Sequence, residues 1–263
     1  MSYLTIKPSG RLTDVVQCFW IFEGTVSNNR PFTLRTPASG FPELLFHYKG
    51  TFDELLDNNQ VQSSFTSGIH GQTNRYRQFT VSENFGMIGI RLYPYALKTL
   101  FDIPAIEFTN QLPDLFSILN PADFSISQHV YEAKNNDERI RIISEFLERK
   151  IKVFARPEIV FAVEKIMQSN GGIRIKNLAN ECCASQRQFE RNFKELTGFT
   201  AKTFSRIIRF NSLLKRSDFK EQSLTEIALN FGYYDQSHFI QDFKDFSGIN
   251  PRAYFSEKLN PLF

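Results

Sequence analysis

The C-terminal part of the chain contains the same residue pattern twice. Each copy has an alanine, a helix-capping residue, two phenylalanines four residues apart, a lysine directly after the second phenylalanine, and a glycine at the end. The first copy has Ala179, Ser185, Phe189, Phe193, Lys194 and Gly198, and the second has Ala228, Asp235, Phe239, Phe243, Lys244 and Gly248. Self-similarity of this kind indicates a duplicated structural unit. We therefore expect two similar substructures in this region.

Each unit is predicted to consist of two short helices joined by a tight turn. In the second unit, apolar residues recur at helical spacing over residues 224–231, and Gly232 interrupts the pattern. Asp235 is a favourable N-cap for a following helix, which ends at Gly248. A pair of short helices whose second member is polar on its outer face is typical of a helix-turn-helix unit.

Two such units in tandem, ending in G-x-x-P-x-x-Y, resemble the DNA-binding domain of the AraC/XylS family of transcription regulators. The resemblance covers residues 157–255 and is most specific in the stretch GYYDQSHFIQDFKDFSGINP. The segment from Phe204 to Arg209 is similar to the linker helix of the family, although Leu213 stands where the family commonly has alanine. The resemblance implies a sequence-specific DNA-binding regulator and not an enzyme.

The second helix of each unit is expected to lie in the major groove and to present its outward side chains to base edges. By the resemblance, the base-contacting positions are Arg187, Glu190 and Arg191 in the first unit and Ser237, Ile240 and Gln241 in the second. The remaining candidates are Ser185, Lys194, Gln236, His238 and Lys244. We assign the two lysines and the helix N-terminus at Ser185 to phosphate contacts. A solvated helix face is the alternative for all of them.

Residues 1–114 are predicted to form a β-rich domain. Short β-branched or aromatic segments alternate with clusters of Gly, Pro and Asn. The predicted strands are Val15–Phe22, Phe32–Thr36, Glu43–Tyr48 and Met87–Leu92, and a helix is predicted over Pro94–Phe101. Such a pattern favours a sandwich or a small barrel. The layout is similar to the β-barrel, cupin-like sensor domain of many AraC-type regulators, so the expected fold is α+β with several domains.

A sensor domain of this type would bind a small-molecule effector in a largely apolar cavity. Candidate effector-binding residues are Trp20, Arg35, His47, Arg91 and Tyr93. The alternative is a domain that only dimerises, with an interior filled by its many phenylalanines, of which the whole chain has 28.

Residues 115–156 are predicted to be a helical connector. A helix capped by Asp137 would carry an apolar stripe formed by Ile140, Ile143, Leu147, Ile151 and Phe154. This stripe can pack against a second subunit, as the family resemblance favours, or against the β-rich domain of the same chain. Pro157 marks the boundary of the predicted DNA-binding domain, residues 157–263.

The sequence argues against catalysis and against a bound metal or cofactor. The four histidines lie far apart, and neither a zinc-ligand spacing nor a nucleotide-binding motif occurs. A cupin-type enzyme fused to a DNA-binding domain is the disfavoured alternative. Neighbouring cysteines rarely form a relaxed disulfide. We interpret the adjacent Cys182 and Cys183 as small buried residues of the first turn, because free cysteine usually behaves as a small apolar residue; redox sensing is the alternative.

The charge distribution agrees with DNA binding. Residues 157–263 contain 15 Lys and Arg against 12 Asp and Glu, which accounts for the whole net charge of +3. Neither a membrane-length apolar run nor a signal peptide is recognisable, so a soluble, cytoplasmic protein is expected. The expected partners are double-stranded DNA, a small-molecule effector, a second copy of the chain and RNA polymerase.

Overall fold

A computed structural model of the protein describes residues 1–27, 30–56, 58, 60–152, 156–216 and 222–257. Its N-terminal half is rich in strands and its C-terminal half is helical, which confirms the predicted order of the two structural classes. The strands are β1 (Ser2–Ile6), β2 (Val16–Gly24), β3 (Phe32–Thr36), β4 (Glu43–Lys49), β5 (Asp53–Leu55), β6 (Val61–Gln62), β7 (Ser67–His70), β8 (Arg77–Val81) and β9 (Phe85–Leu92).

The strands form two separate sheets. One has the order β1-β2-β9-β4-β7 and the other has the order β3-β8-β5-β6. All pairings between these strands are antiparallel. The predicted closed barrel is therefore wrong for the described residues, because each sheet ends in a strand that pairs with another strand on one side only. The physical reason is strand pairing between distant segments, which local residue patterns do not specify. The cupin-like character of this domain stays a prediction.

Successive side chains along the strands of the larger sheet point to opposite faces, and each face belongs to a different hydrophobic core. In β4, Leu44 and Phe46 point to one face, whereas Leu45 and His47 point to the other, as the two-residue period of a strand requires. The first face packs against helices, and the second packs against the smaller sheet. The N-terminal half thus has three layers: helices, a five-stranded sheet and a four-stranded sheet.

The helical layer of the N-terminal half contains α1 (Ala96–Phe101), α2 (Ile126–Glu132) and α3 (Asn136–Lys150). The N-cap of α3 is Asn135, whose side chain accepts a hydrogen bond from the Glu138 amide, so the predicted cap at Asp137 is wrong by two residues. Ile143 and Leu147 are buried against the β-rich core of the same chain, together with Phe146. The apolar stripe of α3 therefore makes the intrachain contact; Phe154 lies outside the described residues.

The C-terminal half consists of helices that share one core. They are α4 (Pro157–Gln168), α5 (Ile175–Glu181), α6 (Gln186–Thr197), α7 (Ala201–Leu214), α8 (Leu224–Asn230), α9 (Gln236–Ser247) and α10 (Pro251–Glu257). The predicted linker helix corresponds to α7. Among the described helices, none is both long enough and apolar enough to span a membrane.

Candidate nucleic-acid interface

Helices α6 and α9 begin in the same way. The Ser185 side chain accepts a hydrogen bond from the Gln188 amide at 3.3 Å, and the Asp235 side chain accepts one from the His238 amide at 2.8 Å. Both residues satisfy a backbone N–H that would otherwise lack a partner at the helix start. The capping residues in the repeated pattern thus set the start of both helices.

The turns that precede these helices share an unusual backbone position. Cys183 has φ 51° and Gly232, at the equivalent place, has φ 71°. A left-handed conformation suits glycine and is costly for most other residues. Cys183 is exposed while its neighbour Cys182 is buried, so the structural interpretation as small buried residues fits only Cys182.

The inward faces of α6 and α9 are apolar and buried. Phe189 and Phe193 in α6, like Phe239 and Phe243 in α9, are inaccessible to solvent. This arrangement fixes the rotation of each helix about its axis. It leaves the candidate polar residues on the opposite, outer face.

The structure brings the candidate DNA-contacting residues together on the outer faces of α6 and α9. Most of them are exposed; these are Ser185, Arg187, Arg191, Lys194, Ser237, His238, Gln241 and Lys244. Three are half-buried, namely Glu190, Gln236 and Ile240. Within α9, the Gln241 amide donates to Asp245 at 2.8 Å, an exposed contact that can exchange for a base edge.

Helix α7 packs against both α6 and α9. Its Phe204 ring lies 5.7 Å from Phe193 of α6, and its Phe210 ring lies 5.4 Å from Phe243 of α9. Because one helix contacts both, it restrains the separation and the relative rotation of α6 and α9.

An ion pair strengthens the contact between α7 and α9. The Arg206 guanidinium donates to both carboxylate oxygens of Asp242, with a shortest distance of 2.5 Å. Asp242 is fully buried, whereas about a third of the Arg206 side chain is exposed. Hydrogen bonding to Asp242 raises the pKa of Arg206 above its usual value. Local residue patterns do not reveal this pair, because its members are 36 residues apart in the sequence.

The N-terminal half contacts the C-terminal ends of α6 and α9. Thr109 donates to the Gly198 carbonyl, and Arg35 donates to the Gly248 carbonyl, both at 3.2 Å. The Tyr76 ring lies against Gly248 so closely that no side chain fits there. We call these three residues and their two glycines the helix-end contacts. They lie at the opposite ends of the helices from Ser185 and Asp235.

A second connection joins the two halves along α7. Asn211 donates to the Ala38 carbonyl at 3.0 Å, and the Ala38 amide donates to the Phe246 carbonyl at 2.8 Å. Ala38 and Phe41 belong to the same apolar core as the helices of the C-terminal half. The β-rich half is thus packed directly on the helical half.

The candidate effector-binding residues do not form one site. Trp20 and His47 line a cavity of about 40 Å³ between the two sheets. Arg91 lines another cavity, of about 60 Å³, between the two halves, and pairs with Glu43 at 2.8 Å. Arg35 belongs to the helix-end contacts, and Tyr93 packs against the core of the helical half.

The structure adds His70 and Thr36 to the candidate effector-binding residues. Each of them lines the cavity between the sheets and also the cavity between the two halves. Sequence reasoning missed them because β7 is only four residues long and Thr36 is the last residue of its strand. Within the described part of the chain, there is no cluster of three or more His, Cys, Asp or Glu that could hold a metal ion.

Comparisons with known proteins agree with the helical geometry. Residues 178–257, which run from within α5 to the end of α10, match a family described as "Helix-turn-helix domain", and residues 4–114 match "Domain of unknown function (DUF6597)". The chain is 30% identical to "Probable transcription factor PqrA" of Proteus vulgaris over 97 residues, which are 37% of this chain and 80% of PqrA. It is also 30% identical to "Invasion protein InvF" of Salmonella typhimurium over 87 residues, which are 33% of this chain and 40% of InvF.

Two solved structures are also similar. ToxT from Vibrio cholerae matches 90% of this chain and 98% of its own length, with a TM-score of 0.46 and 16% identity. An AraC-type transcriptional regulator from Chromobacterium violaceum matches 41% of this chain and 96% of its own length, with a TM-score of 0.36 and 22% identity. On the sequence matches, the chain belongs to the AraC/XylS family of transcription regulators.

Proposed function

We propose that this regulator binds double-stranded DNA sequence-specifically through two helix-turn-helix units, α5–α6 and α8–α9. The supporting observation is the repeated helix pair whose polar outer faces are exposed while one helix, α7, contacts both inner faces. In this proposal α6 and α9 enter successive major grooves on one face of the duplex, about 34 Å apart. A mismatch between the protein spacing and the DNA pitch would bend the duplex.

The proposed roles follow from side-chain chemistry. Arg187 and Arg191 can pair bidentately with guanine, and Glu190 can accept a hydrogen bond from cytosine. Gln241 suits adenine, and Ile240 can contact a thymine methyl group. Ser237, Gln236 and His238 flank these positions. Lys194, Lys244 and the helix start at Ser185 would contact phosphates and set the register.

We further propose the domain division 1–114, 115–156 and 157–263, with effector control by the first domain. Since α3 packs on the β-rich core, the connector would act together with that domain. The helix-end contacts support such control, because they join the β-rich half to both α6 and α9. A second copy of the chain and RNA polymerase are the remaining proposed partners, and no catalytic step is assigned.

One observation favours the alternative in which the N-terminal domain only dimerises. The cavity between the sheets is about 40 Å³, which holds roughly three water molecules. The aromatic interior therefore fills most of the space that a larger metabolite would need.

Selection of bound duplexes from a random pool by the full chain tests the proposed DNA binding. A defined sequence should emerge, and the affinity of the protein for it should fall steeply with salt.

Arg191→Ala should cost roughly 1–3 kcal/mol of binding free energy at that sequence and relax the preference at one base pair. Lys244→Ala is the matched loss of one positive charge and should weaken binding to all duplexes similarly. Equal, sequence-independent losses for both variants would assign Arg191 to phosphate, and an unenriched pool would reject the proposal.

A further inference from the structure

The cavity between the two sheets has a lining of two distinct kinds. Side chains from six strands and from the adjoining loops face it, and most are aromatic or aliphatic, including Trp20, Phe52, Phe79 and Met87. Set into this apolar wall are the polar side chains of Thr36, Glu43, His47, Ser64 and His70. A few polar groups in an apolar enclosure are typical of a small-molecule site.

Three buried polar atoms on this wall have no hydrogen-bond partner among the described residues. They are His47 Nε2, His70 Nε2 and Thr36 Oγ1. His47 is 5% exposed and His70 is 9% exposed, so water outside the protein does not satisfy them. Leaving such buried groups unpaired destabilises the folded protein. A bound molecule that supplied the missing partners would recover that free energy.

The contact made by Nδ1 of His47 determines whether Nε2 donates or accepts a hydrogen bond. Nδ1 lies 3.2 Å from the Thr66 carbonyl oxygen, which can only accept, so Nδ1 must carry the proton. In the neutral ring Nε2 is then an acceptor. The ligand must therefore present an O–H or N–H donor to His47.

The cavity offers no free charge. Burial lowers the pKa of His47 to about 4 and that of His70 to about 3, so both rings are uncharged at neutral pH. The carboxylate of Glu43 is paired with Arg91 at 2.8 Å. A carboxylate placed here would be a buried charge without a partner, which is strongly unfavourable. An ammonium group would have to compete with Arg91 for the carboxylate of Glu43.

We infer that this cavity binds a small, uncharged aromatic molecule that carries at least one hydroxyl or N–H donor. The donor pairs with His47 Nε2, and the ring lies among the aromatic side chains. A single ring exceeds the present volume of about 40 Å³, so binding requires movement of lining side chains. Met87 can supply it, because an unbranched methionine adapts to irregular spaces. As an effector site this inference rests on the proposed function.

The position of the cavity connects it to the helical half. His70 ends β7, and the next segment carries Tyr76 of the helix-end contacts. Thr36 ends β3 and is two residues from Ala38, which hydrogen-bonds both α7 and the end of α9. A ligand that displaces His70 or Thr36 therefore acts on segments that contact the helical half.

Titration of the full chain with four one-ring molecules tests the inference. Trp20 is the single tryptophan of the chain and lines the cavity, so its fluorescence reports occupancy directly. Phenol should give a saturable change, and toluene, which lacks the donor, should bind about tenfold more weakly. Benzoate and benzylammonium should give no saturable change. Phenol and toluene binding equally, tighter binding of either ion, or no saturation with phenol would overturn the inference.

Variants assign the binding to this cavity. His47→Leu should reduce phenol affinity about tenfold and leave toluene affinity unchanged, whereas His47→Gln, which can still accept, should retain phenol binding. The exposed His129→Ala is the matched control for loss of an imidazole. If a His47 variant does not fold, the titration of the unmodified protein with the four molecules still tests the inference. Because DNA is absent from the titration, its failure leaves the proposed DNA binding untouched, and the converse also holds.

Discussion

Replacement of Asp242 by alanine is expected to lower the free energy of unfolding of the helical half by about 2–3 kcal/mol. Breaking a fully buried ion pair costs about 3–5 kcal/mol, and we discount this because a third of the Arg206 side chain reaches solvent. The variant leaves a cavity under α9 and removes the charged hydrogen bonds that attach α9 to α7. Urea denaturation followed by circular dichroism at the helical band measures the loss.

Asp245→Ala provides the matched control for the Asp242 variant. Asp245 is exposed on the same helix and hydrogen-bonds only the exposed Gln241 in the described structure, so its loss should change stability by about 0.5 kcal/mol or less. Asp242→Asn should be intermediate, since it keeps the shape and loses the charge. Similar small losses for Asp242→Ala and Asp245→Ala would show that the ion pair does not hold α9 on α7.

The triple variant Arg35→Ala/Tyr76→Ala/Thr109→Ala is expected to weaken DNA binding of the full chain about 5- to 30-fold, or about 1–2 kcal/mol. On α6 and α9, these side chains contact the C-terminal ends and leave the exposed outer faces free. The docked arrangement therefore restricts both helices before DNA arrives. Releasing it returns conformational freedom that binding must remove again. Fluorescence anisotropy with a labelled selected duplex measures the change.

Arg75→Ala is the control for the triple variant. Arg75 is exposed, lies beside Tyr76 in the same segment, and carries the same charge as Arg35. Its replacement should leave DNA affinity within about twofold, apart from a small long-range charge effect. Tighter binding by the triple variant would show that the docked arrangement inhibits DNA binding, and unchanged binding would show that the two halves are not coupled.

The helix pairs can be predicted from the sequence because their determinants are local. Ser185 and Asp235 cap helices that start at the next residue, and Gly198 and Gly248 end them. The phenylalanine spacing alone fixes which face is buried. The outward position of Arg187 and Arg191 follows from that spacing without any knowledge of the tertiary structure.

The arrangement of the N-terminal half depends on contacts between distant residues. The predicted strands β2, β3, β4 and β9 are found within one or two residues at most ends, yet β2 pairs with β9 across 60 or more residues. Short strands such as β5 and β6 have too little alternation to be recognised. Two open sheets and one closed barrel present the same local pattern, so the sequence does not distinguish them.

The grouping of the candidate effector-binding residues also depends on contacts between distant residues. Trp20 and His47 share a cavity because β2 and β4 both pair with β9, whereas Arg35 lies on the other sheet and reaches α9 instead. His70 enters the site only through its pairing opposite Glu43. Similarly, the apolar stripe of α3 could pack against a second subunit or against the β-rich domain of the same chain. Only the tertiary structure shows that the β-rich core of the same chain covers Ile143 and Leu147.

Hydroxyl-radical footprinting of the full chain on its selected duplex tests the central claim most directly. Two protected blocks should appear on one face of the DNA, about 10 base pairs apart. Arg187→Ala/Arg191→Ala should remove base preference in one block only, and Ser237→Ala/Gln241→Ala should remove it in the other only. A single continuous block, or loss of preference in both blocks from either pair of substitutions, would contradict reading of DNA by two helices held on α7.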